Sequence, residues 1–307
     1  MTDPSFLNDQ GRPAVRLERR YPHPVERVWR AVTESASLTH WFPSEVEFDL
    51  AAGKVVFDPN GPDPMTGLVL ESDPPRRLIF TWDSDQLEFT LAPDGDGTLF
   101  TLTHRFDDRP GAASFATGWE QCLNALLNEA APAPQGRKAT ARHEELVLRF
   151  GLDQPEITWA GQEWTIRYER QLSCDADTAW NLLFGDEVPI AGHTFPPRVS
   201  SFPAASNASQ AVSSTFPPGD IEFRTKQPDQ TTLGRLTTVD APRAFTFEVP
   251  DGVPGRAGSG RLGAGTGQGA RLFLEVTGSG KDELQTALVV WGTEAVAGLA
   301  RAAAALG

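Results

Sequence analysis

The sequence predicts an α+β chain made of two tandem copies of one domain, each a curved antiparallel sheet wrapped around a long C-terminal helix. Three observations lead there. First, landmarks repeat along the chain: Leu17-Glu18-Arg19-Arg20 followed by Trp29 returns as Tyr168-Glu169-Arg170-Gln171 followed by Trp180, at an offset of 151 residues (169 − 18 and 180 − 29). Gly67 and Pro75 to Phe80 return as Gly234 and Pro242 to Phe247, at an offset of 167 (234 − 67 and 242 − 75). A growing offset with conserved order means duplication with inserted loops. Second, apolar residues alternate with polar ones in runs separated by short turns, the pattern of half-buried antiparallel strands. Third, each copy ends in a helical stripe with a tryptophan near its start: Phe115, Trp119, Cys122 and Leu126 in one, Leu288, Trp291, Ala295 and Leu299 in the other.

The elements follow in order. In each copy a strand-like segment leads into a short helix with one apolar face, set by Val25, Val28, Trp29 and Val32 and repeated by Ala176, Ala179, Trp180 and Leu183. Pro24 suits the first helical turn, and Asp175 at the matching place can accept a backbone N–H. Leu78, Phe80 and Trp82 define one strand face; Leu87, Phe89 and Leu91 define a second; Phe100, Leu102, His104 and Phe106 define a third. Asp94-Gly95-Asp96-Gly97 reads as a hairpin turn, so these strands are antiparallel. Residues 130–136 read as a linker, 137–150 as a further helix, and 151–161 as the join between copies. The first domain is expected over 12–150 and a degenerate second over 157–307. Residues 196–218 and 252–269, rich in Ser, Ala and Pro or in Gly, read as long surface loops or partly disordered connections.

Composition narrows the function. A chain of 307 residues matches about two domains of roughly 150 residues. The formal charge of −14 opposes phosphate backbones and anionic lipids, so neither nucleic acid nor membrane is expected as a partner. No apolar run approaches the roughly 18 residues of a membrane span, and no signal peptide is visible before Gly11. Two cysteines, Cys122 and Cys174, form no disulfide framework, so a cytoplasmic setting is expected.

Motifs for catalysis or cofactors do not survive their context. Gly258-Ser259-Gly260-Arg261-Leu262-Gly263 fits G-x-G-x-x-G but precedes a strand-like run, Ala270 to Val276, where a dinucleotide site needs a strand before and a helix after. Gly278-Ser279-Gly280-Lys281 lacks the first P-loop glycine and places Asp282 where a Ser or Thr belongs; Ser279 with Asp282 reads better as a capping box. Asn207-Ala208-Ser209 is a glycosylation sequon without meaning inside the cytoplasm. His23, His40, His104, His143 and His193 are not at metal-ligand spacing. No catalytic residue, metal or cofactor is therefore expected.

A curved sheet around one helix leaves a cavity between them, and any function is expected there. Trp41, Phe42, Phe80, Trp82, His104, Phe106 and Trp119 are the candidate ligand-binding residues. Aromatic rings offer flat apolar area to a hydrophobic or ring-containing molecule, and equally they can fill a core. Alternation puts His104 on the apolar face, where it serves either as a ligand partner or acid–base group, or as a core histidine satisfied by a neighbouring carbonyl. By the same alternation Glu88 and Asp83 are expected to face water.

These residues resemble a known family. Asp73 to Trp82, Thr101-Leu102-Thr103-His104, Gly118 to Leu123 and Leu38 to Pro43 look like the Hsp90-ATPase-activator-homologue-like proteins of the START/Bet v 1-like (SRPBCC) superfamily. The resemblance covers about Arg16 to Ala130, with 137–152 similar to a C-terminal extension; the second copy keeps only scaffold positions. It implies the helix-grip fold and a pocket without a shared reaction. The expected function is non-catalytic binding of a small hydrophobic or aromatic molecule. The alternatives are a co-chaperone-like module with a protein partner and a polyketide cyclase-like enzyme.

Overall fold

The computed structural model describes residues 2–126, 137–185, 188–195, 232–267 and 269–306. The linker at 130–136, the loop at 196–218 and the sequon at 207–209 lie outside the described residues. The chain separates into two compact units, Met1–Leu152 and Asp153–Leu306.

The first unit opens with β1 (Ser5–Asp9) and β2 (Arg12–Tyr21), then α1 (Val25–Thr33) and α2 (Ser35–Leu38). Six strands follow: β3 (Val46–Asp49), β4 (Lys54–Phe57), β5 (Met65–Asp73), β6 (Arg77–Trp82), β7 (Asp85–Asp94) and β8 (Gly97–Arg105). They form one antiparallel sheet in the order β1-β2-β8-β7-β6-β5-β4-β3. The closing helix α3 (Ala112–Ala125) covers its inner face, and α4 (Arg137–Arg149) completes the unit. β1 lies outside the expected bounds of 12–150; it is an edge strand whose Phe6 packs on Phe150 at 5.3 Å between ring centroids. The β7–β8 hairpin turns at Gly95, whose φ of 62° is the left-handed conformation that favours glycine.

The second unit repeats the plan. β9 (Glu156–Ala160) and β10 (Glu163–Gln171) lead into α5 (Ala176–Phe184), whose N-terminus is capped by Asp175 accepting the Thr178 N–H at 2.8 Å. Then come β11 (Thr194–Phe195), β12 (Gly234–Asp240), β13 (Ala244–Glu248), β14 (Ala257–Ala264) and β15 (Ala270–Ser279). The strand order β9-β10-β15-β14-β13-β12-β11 matches the first sheet strand for strand from β1 to β4. A helical rod closes it: α6 (Lys281–Ala287), a π-helical stretch (Leu288–Val296) and α7 (Ala297–Leu306). The peptide bonds before Pro75 and Pro242 are both cis. Both units thus have the helix-grip α+β fold in tandem.

Three expectations need correction. The glycine-rich stretch 252–269 is not simply a loop, because β14 occupies its middle. Gly258 and Gly260 sit opposite Phe247 and Phe245 on β13, and a Cβ at either glycine would run into the facing ring. Glycine here makes room for aromatic rings lying across the strand. Next, Ser279 and Asp282 do not cap the last helix: Glu283 reaches back to accept the Ser279 N–H at 2.6 Å and the Gly255 N–H at 3.2 Å. Finally, the 26-residue rod Lys281–Leu306 is long and apolar enough to match a membrane span by length and composition. Its Leu284, Ala287, Trp291, Val296, Leu299, Ala300 and Ala303 are nonetheless buried in the core of the second unit.

The glycine reading predicts that Gly260→Ala lowers the stability of the second unit by about 1–3 kcal/mol, as overpacking does. Gly263→Ala should change little, since only the flexible tip of Arg261 lies near a Cβ there. Urea denaturation of the two variants checks this, and equal midpoints would refute the ring-clearance account.

Candidate functional site

The inner face of the first sheet gathers the candidate residues. Leu78, Phe80 and Trp82 alternate inward on β6, and Leu87, Phe89 and Leu91 on β7. Phe100, Leu102 and His104 do the same on β8. Trp41 and Phe42 follow α2 in a turn, where the Trp41 indole donates to the Ala31 carbonyl at 3.0 Å and its ring meets Phe42 edge-on at 5.5 Å. Phe42 then contacts Trp82 (5.3 Å), Trp119 on α3 (5.5 Å) and Phe80 (6.5 Å). Trp82 stacks on Phe57 at 5.4 Å with an interplanar angle of 11° and meets Trp119 at 6.3 Å. His104 joins through Trp119 (6.0 Å) and Phe106 (5.2 Å). All seven predicted side chains therefore belong to one connected aromatic cluster. Six are buried, while Trp82 is half-buried at the end of β6.

Apart from the Trp41 indole bond, the polar groups of this cluster join in one chain of hydrogen bonds. The Trp119 indole, which can only donate, gives its N–H to Nδ1 of His104 at 3.1 Å. Nδ1 must therefore accept, and the ring proton lies on Nε2, which donates to Asp85 Oδ2 at 2.9 Å. The other Asp85 oxygen faces Arg12 at 3.8 Å, and Arg12 also binds Asp107 at 2.9 Å. Both ring nitrogens of His104 are thus engaged, by a carboxylate and an indole in place of the carbonyl expected for a core histidine. The Asp–His pair resembles part of a hydrolase triad, but the third member is a donor and not a nucleophile. The nearby thiol offers no substitute, because burial pushes Cys122 up to about 11.

Alternation placed His104 correctly and carried two further signals. Asp85 shares its parity with Leu87, Phe89 and Leu91, so the same rule sets it on the inner face beside Trp82, its cross-strand partner. Arg19 shares parity with Val15, Leu17 and Tyr21 and is buried on that face too. Phe57 adds a ring to the cluster, and Phe115 of the helical stripe lies 4.6 Å from His104. Asp83 is exposed as expected, but Glu88 is only 9% exposed. It faces outward and is covered by Arg77 at 2.9 Å and Arg105 at 2.6 Å, because two long cations fold over the strand. Among the described residues no group of three or more His, Cys, Asp or Glu side chains could hold a metal ion.

Residues 22–131 match the family model described as activator of Hsp90 ATPase homolog 1-like protein. The matched stretch lies within the first unit. Among solved structures, CalU16 from Micromonospora echinospora is 26% identical over 48% of this chain and 95% of its own, with a TM-score of 0.39. The conserved protein of unknown function EF2215 from Enterococcus faecalis is 21% identical over 48% of this chain and 90% of its own, at 0.41. DynU16, a protein in the dynemicin biosynthetic locus, is 20% identical over 95% of this chain and 97% of its own, at 0.33. No curated protein matches.

The hydrogen-bond chain predicts that Trp119→Phe strands a buried acceptor at His104 and costs about 1–3 kcal/mol. Thermal unfolding reads the loss. In the native protein, long-range proton–nitrogen NMR should show His104 as the Nε2–H tautomer, and an Nδ1–H tautomer would contradict the assigned bonds.

Proposed function

We propose that the first unit is a non-catalytic binding module for a small apolar molecule carrying a ring, held against the aromatic cluster between the sheet and α3. The observation that carries this reading is Trp82. It is the half-exposed member of an otherwise buried cluster, and its ring contacts Phe57, Phe42 and Trp119 directly. A flat guest meeting Trp82 would exchange water for aromatic faces and edges, the contact such rings favour. Partly buried Phe48, Met65 and Val69 flank the same end of the sheet and enlarge the apolar surface offered.

Binding without catalysis is favoured over the cyclase reading by the state of the polar groups. Both ring nitrogens of His104 are engaged, and Asp85 is shared between His104 and Arg12. General acid–base catalysis needs such a group within reach of a substrate proton, and using His104 would first require breaking two buried bonds.

The fluorescent probe N-phenyl-1-naphthylamine tests the proposal. The full-length protein should bind it and enhance its emission, and Trp82→Ala should weaken that binding about tenfold through lost area and ring contact. An unaltered affinity in Trp82→Ala, or no binding by the native protein, would defeat the reading.

A further inference from the structure

Among the described residues, the inner face of the first sheet carries a buried cation without a hydrogen-bonded counterion, Arg19. Val15, Leu17, Arg19 and Tyr21 alternate inward along β2, and Arg19 sits opposite the fully buried Phe100. Arg19 is only 6% exposed. Its Nη1 donates to the carbonyl oxygens of Glu18 at 2.9 Å and Thr2 at 3.3 Å. Its Nε and Nη2 are buried and meet no acceptor among the described residues. Those two N–H groups form one edge of the guanidinium, the edge that takes both oxygens of a carboxylate in parallel.

The surrounding charges do not fill that edge. Glu120 on α3 lies near enough for Arg19 to feel its charge, but both its oxygens are held by Arg142, at 3.0 and 2.9 Å. Burial accordingly pushes Arg19 below the usual guanidinium value, with Glu120 opposing the shift. An arginine still keeps its charge in a protein, and a buried charge without a hydrogen-bonded counterion is costly. An aliphatic side chain at this inward position would avoid that cost. One turn beyond Glu120, the Asn124 Oδ1 is likewise buried without a partner among the described residues. This part of α3 lies over β2, as the Tyr21 hydroxyl bonded to the Leu123 carbonyl at 2.9 Å demonstrates. The second unit keeps a buried arginine at the matching position, Arg170, whose Nη1 donates to the Gln171 carbonyl at 2.7 Å.

From Arg19 a path of rings leads to the aromatic cluster. Its cross-strand neighbour Phe100 contacts Phe89 at 5.4 Å, and Phe89 contacts Phe80 at 5.2 Å and Trp41 at 6.0 Å. The inner face is thus cationic at one end and aromatic at the other.

We propose that Arg19 recognises an anionic head group, with its free Nε–Nη2 edge taking the carboxylate of a small amphipathic acid. The apolar body of that acid lies toward the aromatic cluster. The assignment of the body rests on the binding function proposed above; the assignment of the head does not.

Calorimetry with 2-naphthoate and its uncharged counterpart 2-naphthamide, in chloride-free buffer, tests both parts on the full chain. The native protein should prefer the acid by about tenfold or more, the scale of hydrogen bonds to a charged group. Arg19→Met should abolish the preference while still binding the amide, and Arg19→Lys, which keeps the charge but loses the paired edge, should retain only part of it. Equal affinities in the native protein, as a niche holding only water would give, overturn the Arg19 assignment and leave the aromatic module standing. So does a preference that persists undiminished in Arg19→Lys or Arg19→Met. If neither naphthalene binds, the aromatic reading falls, and acetate decides the head group. A rise in Tm of the native protein that is absent in both variants sustains Arg19, and no rise overturns it.

Discussion

Each unit depends on one constraint: a closing helix must be anchored to the inner face of its sheet through a tryptophan that still satisfies its indole N–H. A buried indole brings a large apolar surface with one donor that cannot be left unpaired. In the first unit Trp119 meets this requirement at His104 Nδ1, and Asp85 holds the opposite side of that imidazole. Helix α3, strand β8 and the start of β7 are thereby tied in one line. The second unit meets it differently. Trp291 stacks on Phe247 at 5.4 Å and gives its N–H to the Pro254 carbonyl at 2.8 Å. The anchor is the same residue type, but the acceptor changes from a side-chain chain of bonds to a single backbone oxygen.

That change accounts for much of the divergence between the copies. Among the described residues of the second unit, the Trp291 indole meets a backbone carbonyl and not an Asp–His pair. Its inner surface is filled by rings lying over glycine, Phe245 over Gly260 and Phe247 over Gly258. The closing helix adapts as well. Its π-helical stretch brings Gly292 against the Tyr168 hydroxyl, where any side chain would collide, and burial pushes that phenol up to about 12. Close approach of backbone to ring is the recurring device in this unit, and it consumes the space that the first unit gives to side-chain polar groups.

Much of this was legible in the sequence because period-2 alternation survives wherever one sheet face is buried. It placed His104, Trp82 and Phe80 inward, and the repeat of Glu18 as Glu169 and Trp29 as Trp180 located the matching strands and helices. What alternation cannot tell is whether a polar side chain is satisfied, since its partner comes from another element. His104 finds Asp85 from a neighbouring hairpin and Trp119 from the helix, and neither distance is encoded locally. Outward parity predicts that Glu88 faces water; the parity holds but the exposure does not, because Arg77 and Arg105 fold over it. The Gly-rich β14 failed as a strand signal for a related reason. Glycine has weak strand preference, and the rings that justify it sit on the adjacent strand.

Two polar side chains on the first inner face, His104 and Arg19, then carry opposite information. His104 has every hydrogen-bonding atom engaged, so its burial is explained by folding alone: removing it would strand an indole and a carboxylate. Arg19 has two N–H groups buried without acceptors, so folding alone gives no return for its charge. Residues on one face of one sheet are subject to the same desolvation cost. That cost is offset within the fold for His104 and is not offset by the described contacts of Arg19. The most conspicuous polar residue of the sequence, a histidine among aromatics, is thus held by bonds within the fold. The uncompensated burial belongs to an arginine that the sequence presents as one of an ordinary basic pair, Arg19-Arg20.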